Sequence, residues 1–154
     1  MDPTFSELSD RVANHIGGRT VACAESFSAG LIAQTLAAAE AASEWFCGGV
    51  VAYQEQVKRS ALGVRAEQIV SGAAAVEMAT GTAELLGADV GISTTGVAGP
   101  DDQDGIVAGT VVIGWSAGGT TGSETFHFDG SDPEAVVNQG ARVALERLCA
   151  VLAG

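Results

Sequence analysis

The sequence predicts an α/β fold, with a single three-layer α/β/α domain over residues 1–154 and a mixed, mostly parallel sheet. Short apolar runs without clean alternation, typical of strands buried on both faces, recur between stretches of helical spacing. Strands that alternate with helices in this way place helices on both faces of a sheet. Two late strand-like runs are joined through Ala117-Gly118-Gly119 and predict a C-terminal hairpin, which a last helix follows.

Each element is predicted from the spacing of its apolar residues and from the capping or turn residues at its ends. Helices are predicted where apolar residues recur at helical spacing next to a capping residue or a closing glycine, with Thr4 or Ser6 as the first cap and Ser131 as the last. They cover residues 4–16, 30–39, 54–62, 73–86 and 132–152. Strands are predicted at the apolar runs 20–24, 46–53, 89–95, 110–115 and 120–128. The acidic segment 101–105 is predicted to be a mobile, solvated loop.

The charge balance limits the classes of partner. Seven Lys and Arg residues stand against 19 Asp and Glu residues, for a formal net charge of −12. Nucleic-acid binding needs a clustered basic face that displaces phosphate counterions, so no nucleic-acid partner is expected. Neither a membrane-spanning apolar run nor a basic leader before an apolar stretch is visible, so we expect a cytoplasmic protein without a membrane partner.

The cysteines and histidines do not predict a metal site. Cys23, Cys47 and Cys149 are odd in number and form no C-x-x-C pair, and His15 and His127 are not spaced to complete a zinc site. We therefore expect reduced, mostly buried thiols, and no metal.

Lys58 is the only lysine, and it lies five residues after the only tyrosine, Tyr53. Burial lowers the pKa of a lysine, so a shielded Lys58 can act as a neutral base. Tyr53 can orient or relay the proton. The alternatives are an exposed charge on a helix for Lys58, and packing at the core rim for Tyr53.

Ser26 lies at a predicted turn from a strand into a helix, within Ala24-Glu25-Ser26-Phe27-Ser28-Ala29-Gly30. A serine nucleophile needs a base and N–H donors for the oxyanion, and the first turn of a helix offers unpaired N–H groups. Ser28, Ala29 and Gly30 are small enough to let a substrate approach that backbone. The alternative is that Ser26 or Ser28 only caps the helix, and the residues alone leave open which serine lies nearer Lys58.

A glycine loop follows the third predicted strand. In Thr94-Thr95-Gly96-Val97-Ala98-Gly99-Pro100, glycines allow consecutive backbone N–H groups to converge on an anion. The loop lacks the lysine of a phosphate-binding P-loop and the spacing of a dinucleotide fingerprint, so a plain turn explains it equally well.

Together these motifs resemble the CinA C-terminal domain family, also known as the competence/damage-inducible or PncC-type nicotinamide-nucleotide amidase family. The resemblance runs from Thr20 to the final helix. Its carriers are Ala24-Glu25-Ser26 with Gly30-Leu31, Trp45 to Tyr53 with Lys58, Leu62-Gly63-Val64, Met78-Ala79-x-Gly81, Leu86 to Asp89, Thr95 to Pro100 and Gly109-Thr110-Val111.

The resemblance implies a hydrolase that deamidates nicotinamide mononucleotide to nicotinic acid mononucleotide and ammonia, without a metal or an organic cofactor. It implies Ser26 as nucleophile, Lys58 as base and Tyr53 as an assisting hydroxyl. The residues expected to bind this small pyridine nucleotide are Glu25, Ser28, Ala29, Gly30, Thr95, Gly96, Ala98 and Gly99. The Ala- and Gly-rich composition also makes a dimer or larger homo-oligomer an expectation.

Several positions depart from the usual family pattern, and each change removes positive potential or N–H access, or adds negative charge. They are Phe27 and Ala29 in the serine motif, Glu55 after the tyrosine, residues 101–104 after the glycine loop, and Pro133 and Val137 where arginines are usual. Two alternatives follow: a shifted specificity towards a less anionic amide, or a non-catalytic nucleotide-binding or scaffold protein.

Overall fold

The computed structural model describes residues 2–154, in which helices and strands alternate along most of the chain. The helices are α1 (Pro3–His15), α2 (Leu31–Ala37), α3 (Ala42–Trp45), α4 (Glu55–Leu62), α5 (Gly72–Leu86) and α6 (Pro133–Ala153). The strands are β1 (Val21–Glu25), β2 (Phe46–Val51), β3 (Val90–Gly96), β4 (Thr110–Ala117) and β5 (Thr120–His127). Every predicted helix and strand is present, with boundaries that differ by a few residues.

The five strands form one mixed sheet in the order β2-β1-β3-β4-β5. Strand β1 pairs in parallel with both β2 and β3, whereas β3 with β4 and β4 with β5 pair in antiparallel fashion. Only β4 therefore runs against the other four strands, and the predicted hairpin is β4–β5. The predicted α/β class with a mixed, mostly parallel sheet is confirmed.

Helices cover both faces of the sheet. The connection from β1 to β2 passes over one face, and the connection from β2 to β3 passes over the other. Helices α1, α2 and α6 pack over one face around a large core that includes Ile32, Ile92 and Leu148. Helices α4 and α5 pack over the other face around a smaller core that includes Leu62 and Met78. The chain thus moves from β1 to β2 on one side and from β2 back across to β3 on the other. In open α/β sheets, such a reversal creates a crevice at the carboxyl ends of the strands.

The structure corrects three local predictions. Asp2, and neither Thr4 nor Ser6, caps α1, since its carboxylate accepts from the backbone N–H of Thr4 at 2.8 Å. Asp132 replaces Ser131 as the cap of α6. The short helix α3 was not predicted, because four residues are too few to display a period.

The acidic segment 101–105 is exposed, as predicted, but it forms a defined turn. Gln103 and Ile106 exchange two backbone hydrogen bonds of 3.0 and 2.8 Å, and the Asp102 carboxylate accepts from the N–H of Ala108 at 2.8 Å. The acidic composition predicted a mobile loop, because composition reveals the charge of a segment but not the hydrogen bonds that order it.

The three cysteines differ in burial. Cys23 and Cys149 are buried and Cys47 is exposed, and all three are free thiols. Burial raises the pKa of both buried thiols. Over residues 2–154, none of the helices is long and apolar enough to cross a membrane.

Candidate active site

The carboxyl ends of the three adjacent strands β2, β1 and β3 surround a cavity of about 200 Å³. Each strand delivers the segment that follows it: Ser26 after β1, Tyr53 and α4 after β2, and the glycine loop at the end of β3. The full lining is Ser26, Phe27, Tyr53, Glu55, Lys58, Gln68, Ile69, Val70, Gly96, Val97, Ala98, Gly99, Asp101, Gln103 and Asp104. Residues that are far apart in sequence, and that were predicted from separate motifs, therefore share one cavity.

Lys58 projects from the middle of α4 into this cavity. Its side chain is only 5% exposed, and within residues 2–154 it makes no side-chain hydrogen bond and no ion pair. Burial lowers its pKa below the ordinary lysine value, while the nearby Glu55 carboxylate opposes part of that effect. The exposed-charge alternative for Lys58 is therefore wrong, and the neutral amine that a general base requires is more accessible here than in an exposed lysine.

Ser26 follows the last residue of β1 directly and is 4% exposed. Its hydroxyl has no hydrogen-bond partner among the described residues, and no direct hydrogen bond joins it to Lys58. A nearly buried hydroxyl without a partner, facing the same cavity as a nearly buried amine without a partner, leaves both groups available to a bound substrate.

Ser28 has a different environment, although it is only two residues away. Its hydroxyl donates to Glu25 Oε1 at 2.7 Å and lies 2.9 Å from the hydroxyl of Thr94, in a buried network outside the cavity lining. The structure thus separates the two serines that the sequence left equivalent: Ser26 reaches the cavity, and Ser28 is engaged inside the fold.

Glu25 is fully buried and does not line the cavity either. Its carboxylate also accepts from the backbone N–H groups of Ile32 and Ala33, each at 2.9 Å. The first-turn N–H groups of α2, expected to face a substrate, are therefore partly occupied by the protein itself. Ala29 and Gly30, with φ of 50° and 104°, form the left-handed turn that brings Glu25 under α2, and they too lie outside the lining.

The glycine loop contributes backbone to the cavity at Gly96, Val97, Ala98 and Gly99. Val97 is anchored, since its N–H donates to Thr110 at 2.9 Å and its carbonyl accepts from Gly109 at 2.7 Å. In the described chain, the N–H groups of Ala98 and Gly99 have no acceptor. Thr95 lies outside the lining, because its hydroxyl is turned towards the carbonyl of Ile69 at 3.2 Å.

Tyr53 stands at the rim of the cavity and is 67% exposed. Its hydroxyl makes no hydrogen bond within residues 2–154, and so none to Ser26 or Lys58. Tyr53 is therefore placed to contact a substrate at the entrance, and any part in proton transfer requires that substrate or a water molecule between them.

The loop between α4 and α5 supplies Gln68, Ile69 and Val70 to the lining, which the sequence analysis missed. No motif marks them, since they reach the cavity only because the loop crosses the end of the sheet. Phe27 lines the cavity and also packs into the core, with its ring in the space left by Gly140 of α6. Across residues 2–154, no group of three or more His, Cys, Asp or Glu side chains is arranged to hold a metal ion.

The family model for the CinA C-terminal domain matches residues 6–152, nearly the whole chain. The chain belongs to the CinA C-terminal domain family. Similarity to solved structures agrees with this CinA membership. A CinA superfamily protein from Klebsiella pneumoniae superimposes with a TM-score of 0.90 at 38% identity, covering 97% of this chain and 98% of that one. A CinA superfamily protein from Escherichia coli gives a TM-score of 0.89 at 33% identity, covering 96% and 91%.

Curated CinA relatives are longer proteins. A competence-damage inducible protein of Bacillus subtilis is 47% identical over 119 residues, which is 74% of this chain but 29% of the relative. One from Listeria welshimeri is 46% identical over 114 residues, 71% of this chain and 27% of the relative. This CinA chain thus spans less than a third of the length of these relatives.

Proposed function

We propose that this protein is a serine amidase that hydrolyses the carboxamide of nicotinamide mononucleotide, releasing ammonia and nicotinic acid mononucleotide. The observation that carries the proposal is the pair Ser26 and Lys58. Both side chains are more than nine-tenths buried, both lack a partner within residues 2–154, and both line the cavity at the carboxyl ends of β1 to β3. Membership of the CinA family, which this pair of residues helped to suggest, is consistent with hydrolytic chemistry.

In the first step, Ser26 Oγ attacks the carboxamide carbon while neutral Lys58 Nζ accepts the hydroxyl proton. The tetrahedral intermediate then collapses as the Lys58 ammonium returns this proton to the amide nitrogen, the C–N bond breaks and ammonia leaves. An ester joins Ser26 to the acyl group. The lowered pKa of Lys58 favours this step, because a larger fraction of the amine is unprotonated near neutral pH.

In the second step, a water molecule attacks the ester carbon and gives its proton to Lys58. The proton passes to Ser26 Oγ as the C–O bond breaks, so the free serine and the carboxylic acid product are restored. Both steps develop negative charge on the former amide oxygen. Among the lining residues, Phe27, Ala98 and Gly99 have backbone N–H groups without an acceptor in the described part of the chain. We assign them the role of oxyanion donors.

Ammonia release from nicotinamide mononucleotide tests the proposal. The parent protein is expected to release ammonia and the acid nucleotide in equal amounts, and Ser26→Ala to lose at least about a thousandfold in kcat, since the loss of an activated nucleophile removes the covalent route. Ser60→Ala is the matched control, because Ser60 is exposed on α4 and its hydroxyl bonds only Gln56.

Two outcomes would contradict the mechanism. Full turnover by Ser26→Ala would show that another nucleophile, or a directly activated water, carries the reaction. Full turnover by Lys58→Met would show that the base is another group. Binding of the nucleotide to parent and Ser26→Ala alike, without turnover by either, would instead favour the non-catalytic binding protein.

A further inference from the structure

The charged side chains of the cavity lining are unbalanced. Glu55, Asp101 and Asp104 contribute three carboxylates, and Lys58 is the one cation that lines the same cavity among residues 2–154. The lining charge is therefore −2 when Lys58 is protonated and −3 when it is neutral, the state in which it acts as a base. Arg59 lies 3.6 Å from Glu55 outside the lining, and both side chains are well exposed, so solvent screens this pair.

The two aspartates are held in place by the turn described above. The paired hydrogen bonds between Gln103 and Ile106, together with the bond from Ala108 to Asp102, fix this turn beside the glycine loop. Asp104 has a φ of 52°, a conformation that aspartate and asparagine tolerate better than most residues. Asp102, which closes the turn, does not line the cavity, whereas its neighbours do. We call Glu55, Asp101 and Asp104 the acidic wall; because the turn holds the two aspartates in place, this wall is part of the folded site.

The same cavity holds the reactive groups. Within residues 2–154, Ser26 and Lys58 are unpartnered and nearly buried, and the N–H groups of Phe27, Ala98 and Gly99 have no acceptor. These groups suit a neutral carboxamide and its developing oxyanion. A substrate bound to them lies in the field of the three carboxylates that line the same cavity. The volume of about 200 Å³ is also below the roughly 300–1,000 Å³ of most ligand pockets, so a small substrate is favoured.

We propose that the preferred substrate of this site is a pyridinium riboside carboxamide without a phosphate, that is, the dephosphorylated counterpart of nicotinamide mononucleotide. This inference rests on the proposed function. The ring of such a compound is cationic, so the carboxylates attract it. A phosphate monoester adds up to two negative charges, which the same carboxylates repel. The reaction at the carboxamide is the same for both compounds. The acidic wall determines whether the riboside or its phosphate ester binds better.

The experiment compares kcat/KM for the nucleotide and the riboside in the parent protein, in Asp101→Asn, in Asp104→Asn and in the double variant. The parent is expected to favour the riboside by about tenfold, as two or three partly screened carboxylates at several ångströms imply. Each single variant should reduce the ratio of kcat/KM for the riboside to that for the nucleotide by about threefold. The preference for the riboside should weaken at high salt. Asp10→Asn on α1 is the matched control: it removes one exposed carboxylate outside the cavity and should leave the ratio unchanged.

Equilibrium binding to Ser26→Ala separates this inference from the proposed function. If neither compound is hydrolysed by the parent, the proposed function fails, yet tighter binding of the riboside that Asp101→Asn and Asp104→Asn reduce still supports the acidic wall. Preference for the nucleotide, in turnover or in binding, overturns the inference and leaves the amidase intact. Equal binding of both compounds, or no binding of either, overturns it as well.

Discussion

The contact between Phe27 and Gly140 links the position of the candidate nucleophile to the packing of α6. Phe27 directly follows Ser26, and its ring occupies the space that a side chain at residue 140 would need. A Cβ built on Gly140 would lie 2.7 Å from Cζ and 2.9 Å from Cε2 of that ring. The opposite edge of the ring faces a second glycine, since a Cβ built on Gly96 would lie 3.1 Å from Cε1. Gly140→Ala is therefore expected to strain the Ser26 turn.

Two opposing effects determine the size of this change in the free energy of unfolding. Replacing glycine by alanine inside a helix contributes about 1 kcal/mol of stability. Overpacking a buried contact costs about 1–3 kcal/mol, so Gly140→Ala alone should lower stability by about 0–2 kcal/mol. Phe27→Ala alone should cost about 3–5 kcal/mol, since it empties a buried ring site. In the Phe27→Ala background the overlap is absent, and Gly140→Ala should raise stability by about 1 kcal/mol.

Urea unfolding of the parent, both single variants and the double variant gives this coupling as a double-mutant cycle. We expect a coupling energy of about 1–3 kcal/mol between residues 27 and 140. Additive effects, within about 0.5 kcal/mol, would refute the packing argument. Ammonia release by folded Gly140→Ala adds a functional readout. It should fall because Ser26 moves with Phe27, and unchanged kcat would show that the nucleophile is positioned independently of α6.

Three further predictions concern the same region. Ala29→Gly should raise stability by about 0.5–1 kcal/mol in urea unfolding, because φ of 50° is costly for alanine but not for glycine; a loss would show that the turn is unstrained. Glu55→Gln should move the acid limb of the kcat/KM profile to lower pH, since the Glu55 carboxylate raises the pKa of Lys58; Glu44→Gln is the exposed control, and a shift to higher pH would contradict the pairing. Lys58→Met should abolish turnover and raise stability by about 1 kcal/mol, because it removes a buried amino group that has no partner within residues 2–154. The folded-state pKa of Lys58 is lowered, so parent stability should rise with pH between that value and the ordinary lysine pKa; a parent and Lys58→Met with equal pH dependence there would contradict this.

Local patterns predicted the elements of the fold well where the chain carries a long signal. Helix α5 is Ala-rich and closed by Gly87 in the left-handed conformation, and β3 is a buried apolar run, so both were predicted within a residue or two. The errors occurred where a few local hydrogen bonds decide the structure. Asp2 instead of Thr4 caps α1, and the 101–105 turn is ordered by the Gln103–Ile106 pair. Such bonds depend on the exact backbone geometry, which cannot be read from the types of the residues alone.

The candidate site shows the same division. Ser26, Lys58 and the glycine loop were each predicted from a local motif, and the structure brings them to one cavity. The roles expected for Glu25 and Ser28 differ in the structure. When only the chain order is known, a carboxylate next to the proposed nucleophile indicates substrate contact, but the Glu25 carboxylate is turned inward and holds the start of α2.

The sequence by itself determined the α/β class, the family, and the presence of one lysine and one tyrosine close behind a buried strand. The class follows from periodicity, which acts over a few neighbouring residues, and the family follows from motifs that resemble its pattern in order along the chain. Only the tertiary structure decided that Ser26 rather than Ser28 lines the cavity that Lys58 also lines, and that Glu55, Asp101 and Asp104 line it as well. The physical reason is the strand order β2-β1-β3, in which the chain moves from β1 to one side and then returns to the other. This order brings the carboxyl ends of three strands together, and it thereby determines which side chains are buried and which charges lie near them.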